Sequence, residues 1–526
     1  MNLEPKLIYK EYSSGVNFKE ALGAKGLYEQ SKINERFYVG DQWYGANCGN
    51  DRPLVRYNVI KRIGDYKISQ IISSPVSVKF SAGGFAAPNK SREENKERRK
   101  LLKEGEGFKG QVNSDELDLL MPVLEDYRNT VSHRVALDAL LVSALKKAFI
   151  SGTGIIYTYW DKEVNSKYFG DINCEVLDIS NVYFADPYCT NIQMQPYIII
   201  ASERDAESLK KELGEKKARN LKPDKNGRVL VLTKFYKSVG ANGKTTIRCI
   251  KVTENTVIRE DFDTLLTRYP LAAITWDEKE GIVYGESEIT YLIPNQIAIN
   301  RMITANVWSA MTMGMPMMVV NGDTVNADIT NDPGQIIKVY GTNEDVAGAV
   351  KYVTPPDFCS NLSGSVNELI TNTLTQSGAN EVALGDSRAD NAAALATMLN
   401  AATLPLQLLK DKYYRFLGEL SLIWVDFWFT HYGSRALKIE DESGIWYMPF
   451  DADRYADIIC SAKVKPNEIT EGKTDETVNT LTMLYEKGVL NKRQFIKRLP
   501  SEILPEKEEI LEELGKEEEN DGPQDI

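Results

Sequence analysis

The sequence predicts an α+β protein, on three observations. Long runs carry apolar residues at helical spacing, short runs alternate apolar and polar residues, and two strand-like runs at 229–237 and 244–252 are joined by the hairpin turn "SVGANGKT". Taken in order, Asn17 to Tyr38 reads as a helix on Phe18, Ala21, Leu22, Leu27, Tyr28, Ile33 and Phe37. After a proline-bearing turn, Asn58 can cap a second helix whose buried face is Ile60, Ile63, Ile68, Ile71 and Ile72; Pro75 ends it. "VSVKFSA" then alternates as a strand. Residues 114–150 read as one long helix that stops at Gly152, with a strand from Ile155. "DINCEVLDISNVYFADPYC", "PYIIIASE", a short helix at 205–214 and the hairpin complete a mixed body to about residue 285.

The second half has a different character. A helix with Pro294 in its first turn runs to about Met313. Its apolar seam is Ile297, Met302, Ile303, Val307 and Ala310, and Asn295, Gln296, Asn300, Arg301, Thr304 and Asn306 face elsewhere. So many polar groups rule out a lipid-spanning helix, and no membrane is expected. Residues 314–358 form a compact insert of strand-like runs "MPMMVV", "GQIIKVYG" and "GAVKYV" between polar turns. A second helix follows with the seam Val366, Leu369, Ile370 and Leu374 and an Asn, Thr and Gln face; neither helix can bury itself alone. Next come a polar loop "ANEVALGDSRADN" and a long helix from Asn391 to about His431, which Pro405 should kink. A short β region at 435–462, helices at 472–487 and 491–499, an acidic amphipathic helix at 505–514 and a disordered end close the chain.

Composition narrows the function. The six cysteines form no C-x-x-C pair, so neither zinc nor a disulfide framework is signalled. His133 and His431 lie far apart, and a histidine-based metal or triad site would need ligands that the sequence does not identify. No Walker A, G-x-S-x-G or H-E-x-x-H motif occurs, and "SGTGIIY" precedes a strand rather than following one, so it is not a phosphate loop. The start "MNLEPKLIYKEYSSG" has no apolar core of a secretory signal. Of the net charge of -12, the segment Glu502 to Ile526 contributes most, with eleven acids against Lys507 and Lys516. The body is near neutral and shows no basic stripe of a high-affinity DNA binder. The mixed-charge run at 90–109 reads as a solvated helix or insert, the methionines at 311–318 as packing, and "LIWVDFWF" with Glu419 and Asp426 as buried protein core.

An ordered series of segments resembles the portal proteins of tailed bacteriophages, the rings that occupy one capsid vertex and conduct DNA. "NERFYVGDQW" and "NVIKRIGDYKISQIIS" are similar to the family's amino-terminal wing, and "ALKKAFISGTGIIYTYWD" with "EVLDISNVYFADP" to its wing core. "GESEITYLIPNQIAINRMITANVWSAM" resembles the first stem helix, "ANEVALGDSRADNAAALATMLNAA" the tunnel loop and the helix behind it, and "MLYEKGVLNKRQFIKRLPSEILPEKEEILEEL" the crown. The charged run at 90–110 has no counterpart in that pattern.

The resemblance implies a subunit with a wing at 1–285, stem helix at 286–313, clip at 314–358, second stem helix at 359–378, tunnel loop at 379–391, further wing at 392–465, helical crown at 466–514 and disordered acidic tail at 515–526. It implies a ring of twelve copies in the virion, assembled in the host bacterial cytoplasm, through which double-stranded DNA passes during packaging and ejection. The partners implied are further copies of the chain, the terminase large subunit, a head-tail adaptor and the major capsid protein, with a scaffold protein as a further candidate; no cofactor, metal or catalysis is implied. Ile297, Met302, Ile303, Val307, Val366, Leu369, Ile370 and Leu374 would then be stem contacts between copies. Glu381, Asp386, Arg388 and Asp390 would face DNA from the tunnel loop, where Gly378 and Gly385 let the chain bend and small alanines such as Ala379 leave little to pack. Asn331, Asp332, Asn343 and Glu344 would dock partners on the clip. The polar faces of the stem helices would line a water-filled channel. Two other classes stay open: another ring-forming virion assembly protein, or a metal-dependent DNA-processing enzyme.

Overall fold

The computed structural model describes residues 4–45, 53–73, 76–85, 114–164, 170–218, 220–240, 243–313, 317–320, 350–353, 358–379, 404–441, 444–455, 458–466 and 481–485, with positions 323, 325, 341–342, 487, 492 and 495–496. These residues are mixed α+β, as the sequence predicts, with about 50% of them in helix and 27% in strand. The chain divides into two units, Met1–Ile72 with Lys79–Lys463, and Ser73–Val78 with Val464–Ile526. In the second, Tyr485 of the helical residues 481–485 stacks on Phe495, ring centroids 4.9 Å apart.

The chain opens with helices α1 (Pro5–Glu20), α2 (Gly26–Val39) and α3 (Val59–Ile72), strand β1 (Val76–Phe85), and helices α4 (Ser114–Arg134) and α5 (Leu137–Ser151). Strands β2 (Thr153–Asp161), β3 (Asp171–Asp178), β4 (Val182–Phe184) and β5 (Tyr197–Asp205) follow, then helix α6 (Ala206–Ala218) and strands β6 (Arg228–Val239), β7 (Thr245–Val252), β8 (Val257–Asp263) and β9 (Leu271–Thr275). Beyond these come helix α7 (Glu288–Met313), strands β10 (Met317–Val320) and β11 (Val350–Val353), helices α8 (Phe358–Gln376) and α9 (Gln407–His431), strands β12 (Ser434–Asp441) and β13 (Gly444–Asp451), the four-residue helix α10 (Ala452–Tyr455) and strand β14 (Ile458–Pro466).

Five strands pair antiparallel in the order β4-β5-β6-β7-β8, and three in the order β3-β2-β9. Ile8 of α1 packs into the larger sheet among Tyr183, Ile199, Leu232 and Ile250, while Leu209 of α6 packs with Val229 and Val231. The aromatic run of α9 is buried core, as its acids suggest: Trp424 and Trp428 are enclosed. Asp426 there accepts from Thr267 N, Thr267 Oγ1 and Arg268 N at 2.8, 2.9 and 3.0 Å, which ties α9 to the turn before β9. Lys19, at the end of α1, is fully buried. Its ammonium donates to the carbonyls of Ile179, Ser180 and Val182 at 2.6, 3.0 and 2.7 Å and lies 3.7 Å from the centre of the Tyr183 ring. Burial pushes its pKa well below the usual 10.5.

Several boundaries differ from the sequence reading. The helix expected from Asn17 is two helices, because Gly23 in the turn between them and Gly26 at the start of α2 adopt positive φ, and α1 begins earlier, at Pro5. The helix expected over 114–150 breaks at Ala136, a left-handed residue (φ 50°). The break lets α4 pack on β12 while α5 packs on β2 and α2, two directions that one straight helix could not serve. Pro405 lies in a 3₁₀ turn (Leu404–Leu406) that leads directly into α9, and residues 391–403, the first part of the expected long helix, are outside the described residues. Also outside them lie the charged run at 90–109, the helices expected at 491–499 and 505–514 apart from positions 492, 495 and 496, and the acidic tail.

Candidate functional site

The first stem-like helix, α7, is rooted by a joint where two glycines meet. Gly152, at the end of α5, and Gly285, before α7, approach so closely that a Cβ on Gly152 would lie 2.2 Å from Gly285 O. The contact is held by Gly285 N donating to Thr153 Oγ1 at 2.9 Å and Trp276 N donating to Gly152 O at 2.9 Å. Ser287 caps α7: its hydroxyl accepts from Ile289 N at 3.2 Å and donates to Phe149 O at 2.6 Å. Glu288 pairs with Lys67 of α3 at 2.6 Å and accepts from Trp276 Nε1 at 2.9 Å. The helix spans Glu288–Met313, and Pro294, expected in its first turn, stands in its second, inside the helix.

The polar face of α7 is not what its sequence suggests. Gln296 and Asn300, expected toward a water-filled channel, are buried. Gln296 Oε1 accepts from Val59 N and Ile60 N at 2.9 and 3.3 Å, closing the free amides at the start of α3 beside the predicted Asn58 cap, whose Oδ1 accepts from Lys61 N at 3.0 Å. Gln296 Nε2 donates to Tyr57 O at 2.6 Å and to Asn300 Oδ1 at 3.0 Å. Asn300 Oδ1 accepts from Tyr57 N at 3.0 Å, its Nδ2 donates to Gln42 Oε1 at 2.6 Å, and Thr304 Oγ1 accepts from Val55 N at 3.2 Å. Residues 296, 300 and 304 thus meet 59, 57 and 55. The match is geometric: four helical residues rise ~6 Å and two extended residues span ~6.6 Å. An extended strap from the amino-terminal part is laced antiparallel onto α7 by three rungs.

From the second rung onward the helix is covered only in part. From Arg301 to Met311 no residue is buried, although Met302, Ile303, Ala305, Val307, Trp308, Ala310 and Met311 are apolar. Helix α8 lies antiparallel on one side, through Asn295 Nδ2 donating to Thr373 Oγ1 at 3.3 Å and Asn306 Nδ2 donating to Ser363 Oγ at 2.8 Å. Of the eight expected contacts between copies, Val366 and Leu374 are already buried within the chain, so they are not free for a neighbour. Ile297, Met302, Ile303, Val307, Leu369 and Ile370 are half-exposed. On another side of α7 lies a groove of about 690 Å³ against α2, floored by Ile33, Phe37, Trp43, Ile293 and Ile297 and edged by Lys25, Lys32, Arg36 and Arg301 against Glu29 and Asp41.

At its far end α8 stops on Gly378 (φ 77°): Gly378 N donates to Thr375 O and Ala379 N to Leu374 O, both at 3.0 Å, with Ala379 fully buried beside Leu374. Gly378, expected to let the chain bend, turns it at the end of α8, while Ala379, expected to leave little to pack, is itself buried. The expected DNA-facing residues Glu381, Asp386, Arg388 and Asp390, and Gly385, lie outside the described residues. Of the insert expected to be a clip, β10 and β11 pair antiparallel, Met317 with Val353 through Val320 with Val350, inside two of the three expected strand-like runs; Asn331, Asp332, Asn343 and Glu344 lie outside the described residues.

Among the described residues, no group of three His, Cys, Asp or Glu is placed to hold a metal ion, and no helix is long and apolar enough to cross a membrane. His431 is half-buried against Trp160 and Phe427, and burial lowers its pKa. The site residues that sequence reasoning missed are the strap at 53–59, the groove and Lys19. The sequence shows the i, i+4, i+8 spacing of Gln296, Asn300 and Thr304, but nothing in it names the strap as their partner. Comparison with protein-family models finds no match, and comparison with curated proteins finds none.

Proposed function

We propose that the chain is a subunit of a bacteriophage portal: a closed homomeric ring of twelve at one capsid vertex, the channel for double-stranded DNA in packaging and ejection and the platform on which the terminase and a head-tail adaptor dock. The observation that carries the reading is the stretch Arg301–Met311 of α7, seven apolar residues in eleven with none buried by the chain itself. A helix whose apolar residues are covered only in part, with Ala305, Ala310 and Met311 exposed, gains from a partner in water, since apolar surface left open marks an association face. A ring supplies one without ends, because a head-to-tail contact that closes leaves no uncovered patch. The antiparallel β10–β11 pair in the insert between α7 and α8, at the end of the helix pair away from the wing-like body, suits a docking clip. The ordered resemblance of the segments supplies the rest, including the copy number, the DNA and the partners. The test is negative-stain imaging and mass photometry of the purified chain, with a nuclease assay in divalent metal alongside. Rings with a central hole wide enough for duplex DNA, and no cleavage, are expected. Monomers that cut DNA would overturn the reading.

A further inference from the structure

Beyond its first turn α7 carries one charged residue, Arg301, and α8 carries one in all, Glu368. Both are exposed, and among the described residues neither has an ion-pair partner. The cross-links Asn295 to Thr373 and Asn306 to Ser363 set the antiparallel register of the two helices, and that register places position 301 level with position 368. The two nevertheless point apart. Helical geometry turns Glu368 about 140° away from Ser363 and Thr373, and Arg301 about 120–140° away from Asn295 and Asn306. Inside one chain they share a height and occupy opposite flanks.

Rotation about a ring axis preserves height. In a ring whose axis runs along the helix pair, the outer flank of α8 on each copy meets the α7 flank of the next at the same level. We propose that Glu368 of each copy pairs with Arg301 of the adjacent copy, and that the outer face of α8 seats against the groove between α2 and α7. The groove favours that occupant: Lys25, Lys32, Arg36 and Arg301 outnumber Glu29 and Asp41 there, so its rim attracts a carboxylate. The α8 flank around Glu368 is small and polar, with Ser365 and Asn372 exposed and Gly364 facing open space, so it admits close approach. The inference rests on the ring reading and adds which two surfaces meet and in what register.

The test uses the purified full chain, weighed by mass photometry over a range of salt. Arg301→Glu and Glu368→Arg should each lower the ring fraction at low salt by about tenfold or more through like charges facing across every contact. The double variant, Arg301→Glu with Glu368→Arg, should restore it, and high salt should shrink the differences. A second measurement needs no assembly defect: Arg301→Lys treated with a carbodiimide should give an amide-linked peptide joining positions 301 and 368 within a covalent dimer. Rings in the wild type with no rescue in the double variant and no such link would overturn the pairing and leave the ring reading standing. A wild type that stays monomeric would overturn both.

Discussion

Replacing Gln296 with leucine tests the lacing of α7 to the strap. The side chain is 1% exposed, and four groups bond to it: Val59 N, Ile60 N, Tyr57 O and Asn300 Oδ1. Not all of them would be stranded. Val59 N also donates to Tyr57 O at 3.0 Å, and Asn300 Oδ1 keeps Tyr57 N. Ile60 N loses its acceptor, in a residue 1% exposed. One orphaned buried amide costs ~1–3 kcal/mol, and the lost bond to Tyr57 O adds about 1 kcal/mol, so Gln296→Leu should cost about 2–4 kcal/mol. Leucine is similar in size to glutamine, so little of that is cavity. The assay is amide hydrogen exchange on the folded protein, which reads local opening at Val55, Tyr57 and Ile60. At 1.4 kcal/mol per tenfold, exchange there should quicken by roughly 30-fold or more. A channel-facing glutamine would change stability by less than about 0.5 kcal/mol. Unchanged exchange at Ile60 would refute the buried rung and return Gln296 to solvent.

Gly378→Ala should cost about 1 kcal/mol in thermal or urea unfolding, because the left-handed backbone opposes a Cβ while the nearest side chain, at Pro405, is 3.4 Å away, ordinary contact. Gly152→Ala should be far worse, with loss of soluble folded protein on expression, since its Cβ would meet backbone at 2.2 Å. Lys19 has a folded pKa well below its unfolded 10.5, so between those values the unfolded chain binds the extra proton and stability rises with pH. The penalty is complete below the folded pKa and relieved toward 10.5; Lys19→Met should flatten that slope in melting temperatures taken from neutral to alkaline pH. Ile303→Asp with Val307→Asp should abolish rings in mass photometry while circular dichroism stays that of the wild type, because both residues are only half-covered within the chain.

The sequence by itself determined most of the elements that its local rules can write. Isoleucine spacing defines α3, and Ile60, Ile63, Ile68 and Ile71 are buried; Asn58 caps it; glycine stops α5; the "SVGANGKT" turn joins β6 to β7. These depend on neighbours within a few residues, so periodicity and turn chemistry suffice. It also marked α7 as a helix with an apolar seam and a polar face. Which face points where was not decided locally. A glutamine is equally at home in water or against free backbone amides, and the amides that bury Gln296 belong to residues 59 and 60, far away in the chain. The same holds for the break at Ala136, which no glycine or proline announces and which follows from packing α4 and α5 against different strands. It holds again for Gly152, whose need to be glycine arises from the backbone of Gly285 lying against it. Tertiary structure alone decided these, because each is the meeting of two segments whose separate sequences carry no record of the other.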